Sequence, residues 1–541
     1  MSHPKPCLPS WLTGAWPALL LAGSLGLCML ASRPLLPVDE TRYLSVAWEM
    51  WLRGDFIVPH KNFAVYVDKP PLLFWLMHAG WAVLGVNAWW PRLIPTLAAL
   101  ASLLLTARLA TALWPSAPRI ARLAPWLLAS MPLWQAFTGA VMFDTLLAMF
   151  ALLALNALVA PPLGHARWAW FALGIGGGLL TKGPVILLHT LPAALAAPWW
   201  RPPSAERRQS DWWRWYGGLL LGVLGGAAIL AAWLWPAIAR AGASYGAGIG
   251  YHQTADRLVH SYSHRRPWWW YLQLAPALAL PWTLWPPLYR GLGRLRGARD
   301  AGLRFCLTAT VPAFVMFCLI SGKQAHYLLP LLAPLALFGA RAIDGASDAA
   351  RPHDGWPLAL LLGASALAML LLPQALPQRA WLAQIPPYVP ATLTAAALLL
   401  VAIGRQPVRS ATCAAGLVFV LAFAGFYGGV MQALGPRYDL AATAARVAQA
   451  QAAGAPVAYV GRYHAQLSFL GRLRQPLAEL RGGQLADWVA RHRNGYLVVE
   501  CDGEPAPPAG VYQQPYRGGS LRLWPVARLG AAFDERALCG D

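Results

Sequence analysis

The sequence predicts an all-α polytopic membrane protein with a small α/β domain at its C-terminal end. Three observations carry that expectation. Of 541 residues, 57% are hydrophobic and only 12% are charged, against roughly 25% charged in a soluble chain. Through roughly the first 430 positions, apolar runs of about 16 to 25 residues recur, the length a helix needs to cross a bilayer core. From about residue 435 the runs stop, and Ala-rich helical stretches alternate with short segments such as "GYLVVE" and "GSLRLWPV", the pattern of a compact mixed domain.

Charge narrows the partners. A net charge of +21 favours anionic ones, which for a membrane protein means phosphorylated lipids and the anionic leaflet. No basic run has the form of a nucleic-acid-binding arm, so nucleic acid is not an expected partner. The 29 Trp and 17 Tyr suit the headgroup interface, where a ring rests on lipid while its N–H or O–H reaches water. Of the seven Cys, Cys28, Cys306, Cys318 and Cys413 lie in apolar stretches as packing residues, and no pair has zinc or redox spacing.

About fourteen apolar segments are long enough to span, and the loop charges decide which do. "RPPSAERRQSDWWR" and "RGLGRLRGARDAGLR" are the richest in arginine and belong in the cytoplasm by the positive-inside rule. Counting back places residues 114–119 inside as well. "KPPLLFWLMHAGWAVLGVNAWW" then reads as an interfacial helix rather than a span, which leaves about thirteen transmembrane helices. The run 11–33 is long enough to span and reads as a retained anchor rather than a cleaved signal peptide. On this count a transmembrane domain covers 1–434, with a first outer loop at about 34–90, and an α/β domain covers 435–541. That domain shares the outer face with Asp39, Asp144, Lys182, the loop 239–267 and Lys323.

The first outer loop is the richest in chemistry. It opens with "LLPVDETRYLSVAWEMW", where Pro37 precedes Asp39 as the expected N-cap, and Tyr43, Leu44, Ala47, Trp48, Trp51 and Leu52 form an apolar stripe ended by Gly54. The reading is an amphipathic helix lying on the outer surface, with Arg42 as the partner of Asp39. "YVDKPPLLFW" in the same loop sets Asp68 and Lys69 at the head of a second interfacial helix. Ionisable residues at membrane helix ends, here Asp144 and Lys182, are functional more often than decorative.

Taken together, "VDETRY", "DKPPLLFWL", "RLIPTLAAL", "FDTLLAMFALLAL", "LLTKGPV" and "SGKQAHYLLP" resemble the integral-membrane, polyprenyl-phosphate-dependent glycosyltransferases of the GT-C fold. Within that family the likeness is to the aminoarabinose transferases of Gram-negative bacteria, which modify lipid A, and to relatives that mannosylate proteins. It covers about residues 10–430, and the C-terminal domain only in length and position. The resemblance implies a monomeric, multi-pass enzyme of the bacterial inner membrane whose active site and C-terminal domain face the periplasm. Such an enzyme moves 4-amino-4-deoxy-L-arabinose from undecaprenyl phosphate to a lipid A phosphate, conferring resistance to polymyxin and other cationic peptides. The alternatives are transfer of a polyprenyl-linked sugar to protein and flipping of a lipid-linked sugar, although no internal repeat or pair of broken helices favours a flippase.

The resemblance makes Asp39 the essential carboxylate of the first outer loop and Asp144 a second acid lining the same cavity, with Lys182 as a further catalytic residue. Arg42, Tyr43, Lys69, Arg265, Arg266 and Tyr327 are its expected contacts to the donor and its phosphate. The chemistry is sound: departing polyprenyl phosphate gathers negative charge, and fixed cations in a low-dielectric cavity stabilise it. The bland role of Arg265 and Arg266 in "SHRRPWWWYL" is interfacial anchoring, and that of Tyr327 is a place in the aromatic belt. No cofactor is identified; a divalent metal stays open, with Asp68 and His264 as candidate ligands and no spacing that fixes a site. Cys501 and Cys539, the two cysteines of the outer domain, are candidates for a disulfide in an oxidising compartment, or for free thiols in a flexible tail.

Overall fold

The structure, a computed structural model, describes residues 10–160, 166–201, 209–249, 265–503, 507, 509–529, 538 and 539. In chain order it builds helices α1 (Ser10–Ser32) and α2 (Asp39–Arg53), a hairpin of β1 (His60–Lys61) and β2 (Ala64–Val65), and helices α3 (Leu72–Leu84), α4 (Trp89–Leu113), α5 (Pro118–Ala129), α6 (Pro132–Thr138), α7 (Phe143–Val159), α8 (Arg167–Lys182) and α9 (Val185–Leu195). Further helices follow, and strands β3 (Val457–Val460), β4 (Ala478–Leu480), β5 (Tyr496–Cys501), β6 (Tyr512–Tyr516) and β7 (Gly519–Pro525) form the C-terminal sheet. The chain divides into two compact units. The first comprises Met1–Ala31, Asp68–Leu73 and Arg92–Gly429, and the second Ser32–Val67, Phe74–Pro91 and Val430–Asp541. Most of the first outer loop of the sequence reading therefore folds with the C-terminal segment.

The first unit is helical. Among the described residues, seven helices are long and apolar enough to cross a membrane, and up to eight if α6 and α7, bent by 111° at their junction, count as one span. α9 and the helix Tyr388–Ile403 are apolar but shorter, as is α3. At 1.5 Å per residue, the 13 residues of α3 reach about 20 Å, short of a bilayer core of about 30 Å.

Small residues decide how α7 meets α8. Gly174 lies so close to α7 that a Cβ there would stand 2.8 Å from the Ala154 amide nitrogen, and Gly177 and Gly178 pack under Phe150 and Ile186. Lipid tails give helices no hydrophobic reason to associate, so close backbone approach and the dispersion it yields hold such a pair. The start of α7 comes to the end of α8. α6 stops at Thr138, and the irregular link 139–142 sets Asp144 in the first turn of α7.

The second unit is built on a five-stranded sheet ordered β4-β3-β5-β7-β6. β3 runs parallel to both β4 and β5, while β5, β7 and β6 are antiparallel. Central β5, "YLVVEC", buries Leu497, Val498 and Val499, the continuous apolar run of a strand covered on both faces. Val498 packs with Leu467 and Leu521, and Leu497 and Val499 pack with Trp488 and Trp524.

α2 belongs to this unit and departs from the sequence reading in two ways. Its cap position is Val38, with no side-chain cap bond, so Asp39 is not the N-cap; its carboxylate is taken by Arg42 instead. The helix is also buried on both faces rather than lying on a surface along its apolar stripe. Ser45 Oγ donates to Ala465 O at 2.6 Å and Trp48 Nε1 to Leu473 O at 2.9 Å. The C-terminal segment thus covers the polar face that periodicity alone assigns to solvent. Gly54 ends the helix as expected, at a left-handed φ of 66° that costs a residue without a Cβ little.

Glu49 in α2 is fully buried and accepts the backbone N–H groups of Asn62 and Phe63 at 2.8 and 2.7 Å. Burial outweighs those bonds and pushes its carboxyl up to about 7. A group whose folded pKa lies above its unfolded value contributes stability that is complete below the unfolded value and is lost as pH rises through the folded one. Glu49 should therefore cost the second unit stability between pH 4.5 and about 7, on the order of 3 kcal/mol across the window. Buried His78 and half-buried His464, both held near 4, act in the opposite sense below the ordinary imidazole value, so the variant comparison isolates the carboxylate. The thermal midpoint of the second unit is expected to fall, relative to that of Glu49→Gln, between pH 5 and pH 8. A constant difference between the two proteins removes Glu49 as the source.

Cys501 and Cys539 are disulfide-bonded at a sequence separation of 38, with Cα atoms 5.4 Å apart. Next to Cys539, Leu538 O accepts from Arg522 Nη1 at 2.8 Å and Trp524 Nε1 at 3.0 Å, which ties the tail to β7. Closing a loop of that length stabilises by roughly 3 to 4 kcal/mol. Cys501→Ser should lower the thermal midpoint of the second unit accordingly. Denatured, unreduced protein should keep both thiols protected from alkylation; two alkylated sites there would contradict the bond.

Candidate functional site

Asp144 and Lys182 form an ion pair at 2.5 Å where α7 starts and α8 ends. Each is favoured by its helix: a carboxylate suits the first turn and an ammonium the last, because the backbone dipole has the opposite sign there. Gly183, at φ 76°, ends α8 and returns its N–H to Leu179 O at 2.9 Å, so the lysine projects from a fixed end. Asp144 is 1% exposed, and its second oxygen lies 3.9 Å from His326 Nε2. Lys182 Nζ stands 4.3 Å from the centre of the Tyr327 ring, within cation–π range. Lys69 Nζ is 5.7 Å from the ring centre of Phe143 and acts electrostatically on Asp144 together with Lys182 and His326. Asp144, Lys182, Lys69 and Tyr327, all anticipated from the sequence, meet here.

The short helix Ala325–Leu331 supplies His326 and Tyr327. Its entry is anchored by Tyr271, whose Oη donates to Gln324 O at 2.9 Å and accepts from Gln324 N at 3.1 Å. The Phe137 ring of α6 lies 5.2 Å from His326. Just before this helix, Gly322 bridges Arg265, and Arg266 N–H donates to Ser321 O at 3.2 Å. Both arginines are exposed, and Arg266 lies over the Trp270 ring at 5.4 Å. Lys323, placed on the outer face by the sequence reading, gives its ammonium to the carbonyls of Ile320 and Arg266; it ties the two segments together.

The second unit carries the other predicted residues. Arg42 pairs with Asp39 one turn away, and Tyr43 Oη donates to the same Asp39 oxygen at 3.4 Å. The Asp39 side chain is 47% exposed and that of Arg42 19%, while Tyr43 is buried with the guanidinium 5.3 Å from its ring centre. Beside them Arg33 and Glu40 form a buried two-pronged ion pair, and Leu36 N–H adds a bond to Glu40 at 2.7 Å. Sequence reading missed this pair, because Arg33 looks like the end of a span and Glu40 like a solvated neighbour of Asp39. It also passed over His326, although "KQAHY" contained it.

Among the described residues, no three His, Cys, Asp or Glu side chains gather as metal ligands. Of the two metal candidates, Asp68 is half-buried before α3, and His264 lies outside the described residues.

No family model matches the chain. The undecaprenyl phosphate-alpha-4-amino-4-deoxy-L-arabinose arabinosyl transferase of Pseudomonas aeruginosa (strain UCBPP-PA14) is 33% identical over 374 residues. The matched stretch is 66% of this chain and 66% of that relative, just under two thirds of its length. Among solved structures, ArnT from Cupriavidus metallidurans bound to undecaprenyl phosphate superposes with a TM-score of 0.74 at 19% identity, over 98% of this chain and 99% of its own. The archaeal oligosaccharyltransferase AglB from Archaeoglobus fulgidus gives 0.51 at 13% identity, over 90% of this chain and 69% of its own. At these identities the structural likeness speaks for the fold, and the sequence likeness narrows the kin. The chain shares the fold of the ArnT structure, and its sequence is similar to those of bacterial undecaprenyl phosphate-aminoarabinose arabinosyl transferases.

Proposed function

We propose that this chain is an integral-membrane glycosyltransferase that moves 4-amino-4-deoxy-L-arabinose from undecaprenyl phosphate to a lipid A phosphate at the periplasmic face of the bacterial inner membrane. The observation that carries the reading is the buried Asp144–Lys182 pair beside Tyr327, His326 and Lys69, in a chain related to arabinosyl transferases named for that donor. On this reading about thirteen helices span the membrane, the N-terminus is cytoplasmic, the second unit is periplasmic, and the enzyme acts as a monomer.

In the reaction an oxygen of the acceptor phosphate attacks C1 of the sugar. The C1–O bond to undecaprenyl phosphate breaks, and its electron pair leaves with that phosphate. Lys182 and Lys69 take up the charge that develops on the leaving group, which fixed cations do best where water is scarce. Asp144 holds Lys182 in place, and Tyr327 packs on its ammonium. Arg265 and Arg266 meet the donor phosphate. A lipid A phosphate is already ionised at pH 7 and needs no general base, whereas a protein hydroxyl would need one. Asp39 therefore orients Arg42 and binds the ammonium of the amino sugar.

The test uses purified protein in nanodiscs with donor and lipid A. Release of undecaprenyl phosphate in step with sugar gained by lipid A is the expected result. Movement of intact donor without release would mean a flippase and overturn the reading.

A further inference from the structure

The second unit concentrates positive charge that the chemistry at Asp144 does not use. Four elements remote in sequence carry it: α2 with Arg42, the β1–β2 hairpin with Lys61, the loop after β3 with Arg462 and His464, and the β6–β7 turn with Arg517. Each is held by bonds of its own. The hairpin turn at Asn62 and Phe63, φ 51° and 64°, gives both N–H groups to Glu49, and the Asn62 side chain exchanges two 2.9 Å bonds with the Leu477 backbone. Ser45 fixes Ala465, itself at φ 61°. Arg517, at φ 54°, donates its N–H to Arg437 O at 3.1 Å.

Contacts bring these elements to the end of β3: Ser45 of α2 holds Ala465 next to His464, and Glu500, 3.9 Å from Arg517, accepts from Tyr459 of β3 at 3.2 Å. The burial of His464, then Arg42, Arg462, Lys61 and Arg517, hold the imidazole near 4, so it is neutral at pH 7. Its Nδ1 is buried with no hydrogen-bond partner. Asp39 answers Arg42, and Glu500 stands 3.9 Å from Arg517; the strongest charges acting on His464 are cationic. The location has a logic as well. The chain leaves β3 for β4 on one side and returns through the helix Gln484–Arg491 to β5 on the other. Residues 461–466 therefore sit at the switch point of the parallel part of the sheet, where the crevice outside the strand ends takes ligands.

We propose that Lys61, Arg462, His464 and Arg517, with Arg42 as one wall, bind a phosphate monoester, the phosphate headgroup of the acceptor lipid. The naming of the acceptor rests on the transfer reading above; the anion site rests on this unit alone. Two guanidinium forks and an ammonium match the oxygens of a phosphate, and the buried Nδ1 of His464 offers a further polar contact.

The experiment measures binding, without turnover, to the full-length protein in nanodiscs. The probes are phosphorylated lipid A, the same lipid with its phosphates removed, inorganic phosphate and undecaprenyl phosphate. Phosphorylated lipid A should bind at least about ten-fold tighter than its dephosphorylated counterpart, the worth of a charge-assisted bond. Lys61→Gln with Arg517→Gln should erase that preference and leave undecaprenyl phosphate binding within about two-fold, while Lys61→Arg with Arg517→Lys should keep it and so controls for folding. Equal binding of the two lipids by wild type, or a preference that survives Lys61→Gln with Arg517→Gln, overturns the site. Inorganic phosphate held by these residues without any preference for the phosphorylated lipid overturns the headgroup assignment. Because no probe is turned over, failure of the transfer reading shows separately, as intact binding with no product.

Discussion

Asp39→Ala is expected to abolish transfer, lowering kcat/KM by at least about 1,000-fold, in a protein that stays folded and inserted. The structural loss is small because Asp39 makes no cap bond and its half-exposed pair with Arg42 is worth about 1 kcal/mol or less. On the proposed reading the functional loss is large because Arg42, without its partner, no longer has a fixed direction, and the sugar's ammonium loses its counter-charge. Thermal midpoint and transfer rate are to be measured on the same preparation. A well-folded variant with near-normal transfer would reduce Asp39 to a local partner of Arg42. Asp39→Asn separates charge from shape: it keeps the outline of the carboxylate and should be nearly as inactive.

Lys182→Ala is expected to fail in both respects. On the proposed reading it removes the ammonium beside the leaving phosphate, and it leaves Asp144, 1% exposed, as a buried charge without its closest partner. Breaking one side of a buried pair typically costs 3 to 5 kcal/mol, so expression and thermal midpoint should fall along with transfer. The double variant Asp144→Asn, Lys182→Met removes both charges; it should recover much of the stability and none of the activity. Recovery of transfer in the double variant would mean that the pair serves the fold and not the reaction.

The buried pair of Asp144 and Lys182 was legible because it sits in motifs. "FDTLLAMF" and "LLTKGPV" put a charge at the edge of an apolar run, where burial makes an ionisable group costly enough to need a reason. Tyr327 and Lys69 came with their motifs in the same way. What periodicity could not supply was the second face of α2, because its cover comes from residues more than 400 positions away: Ser45 finds Ala465 and Trp48 finds Leu473. The same distance hid the cations around His464. The sheet was legible at β5, whose apolar run is continuous, and at β7, where Leu521, Leu523 and Trp524 flank Arg522, and not at β6, "YQQPY", where polar residues and a proline argue against a strand. Apolar windows also register α6 and α7 as helical without the 111° bend between them, because the break falls in the four residues "GAVM", which are nearly as apolar as the helices they separate.

Mass spectrometry of lipid A decides whether lipid A is the acceptor. The chain is expressed in a polymyxin-sensitive strain that makes the undecaprenyl-linked donor, beside an Asp39→Ala control. Lipid A should gain the mass of one or two amino-sugar units and the cells should gain resistance, since each capped phosphate removes an attractive site for cationic peptides; the control should show neither. Unmodified lipid A in cells whose periplasmic proteins gain a hexose would contradict the account and give Asp39 the part of a general base.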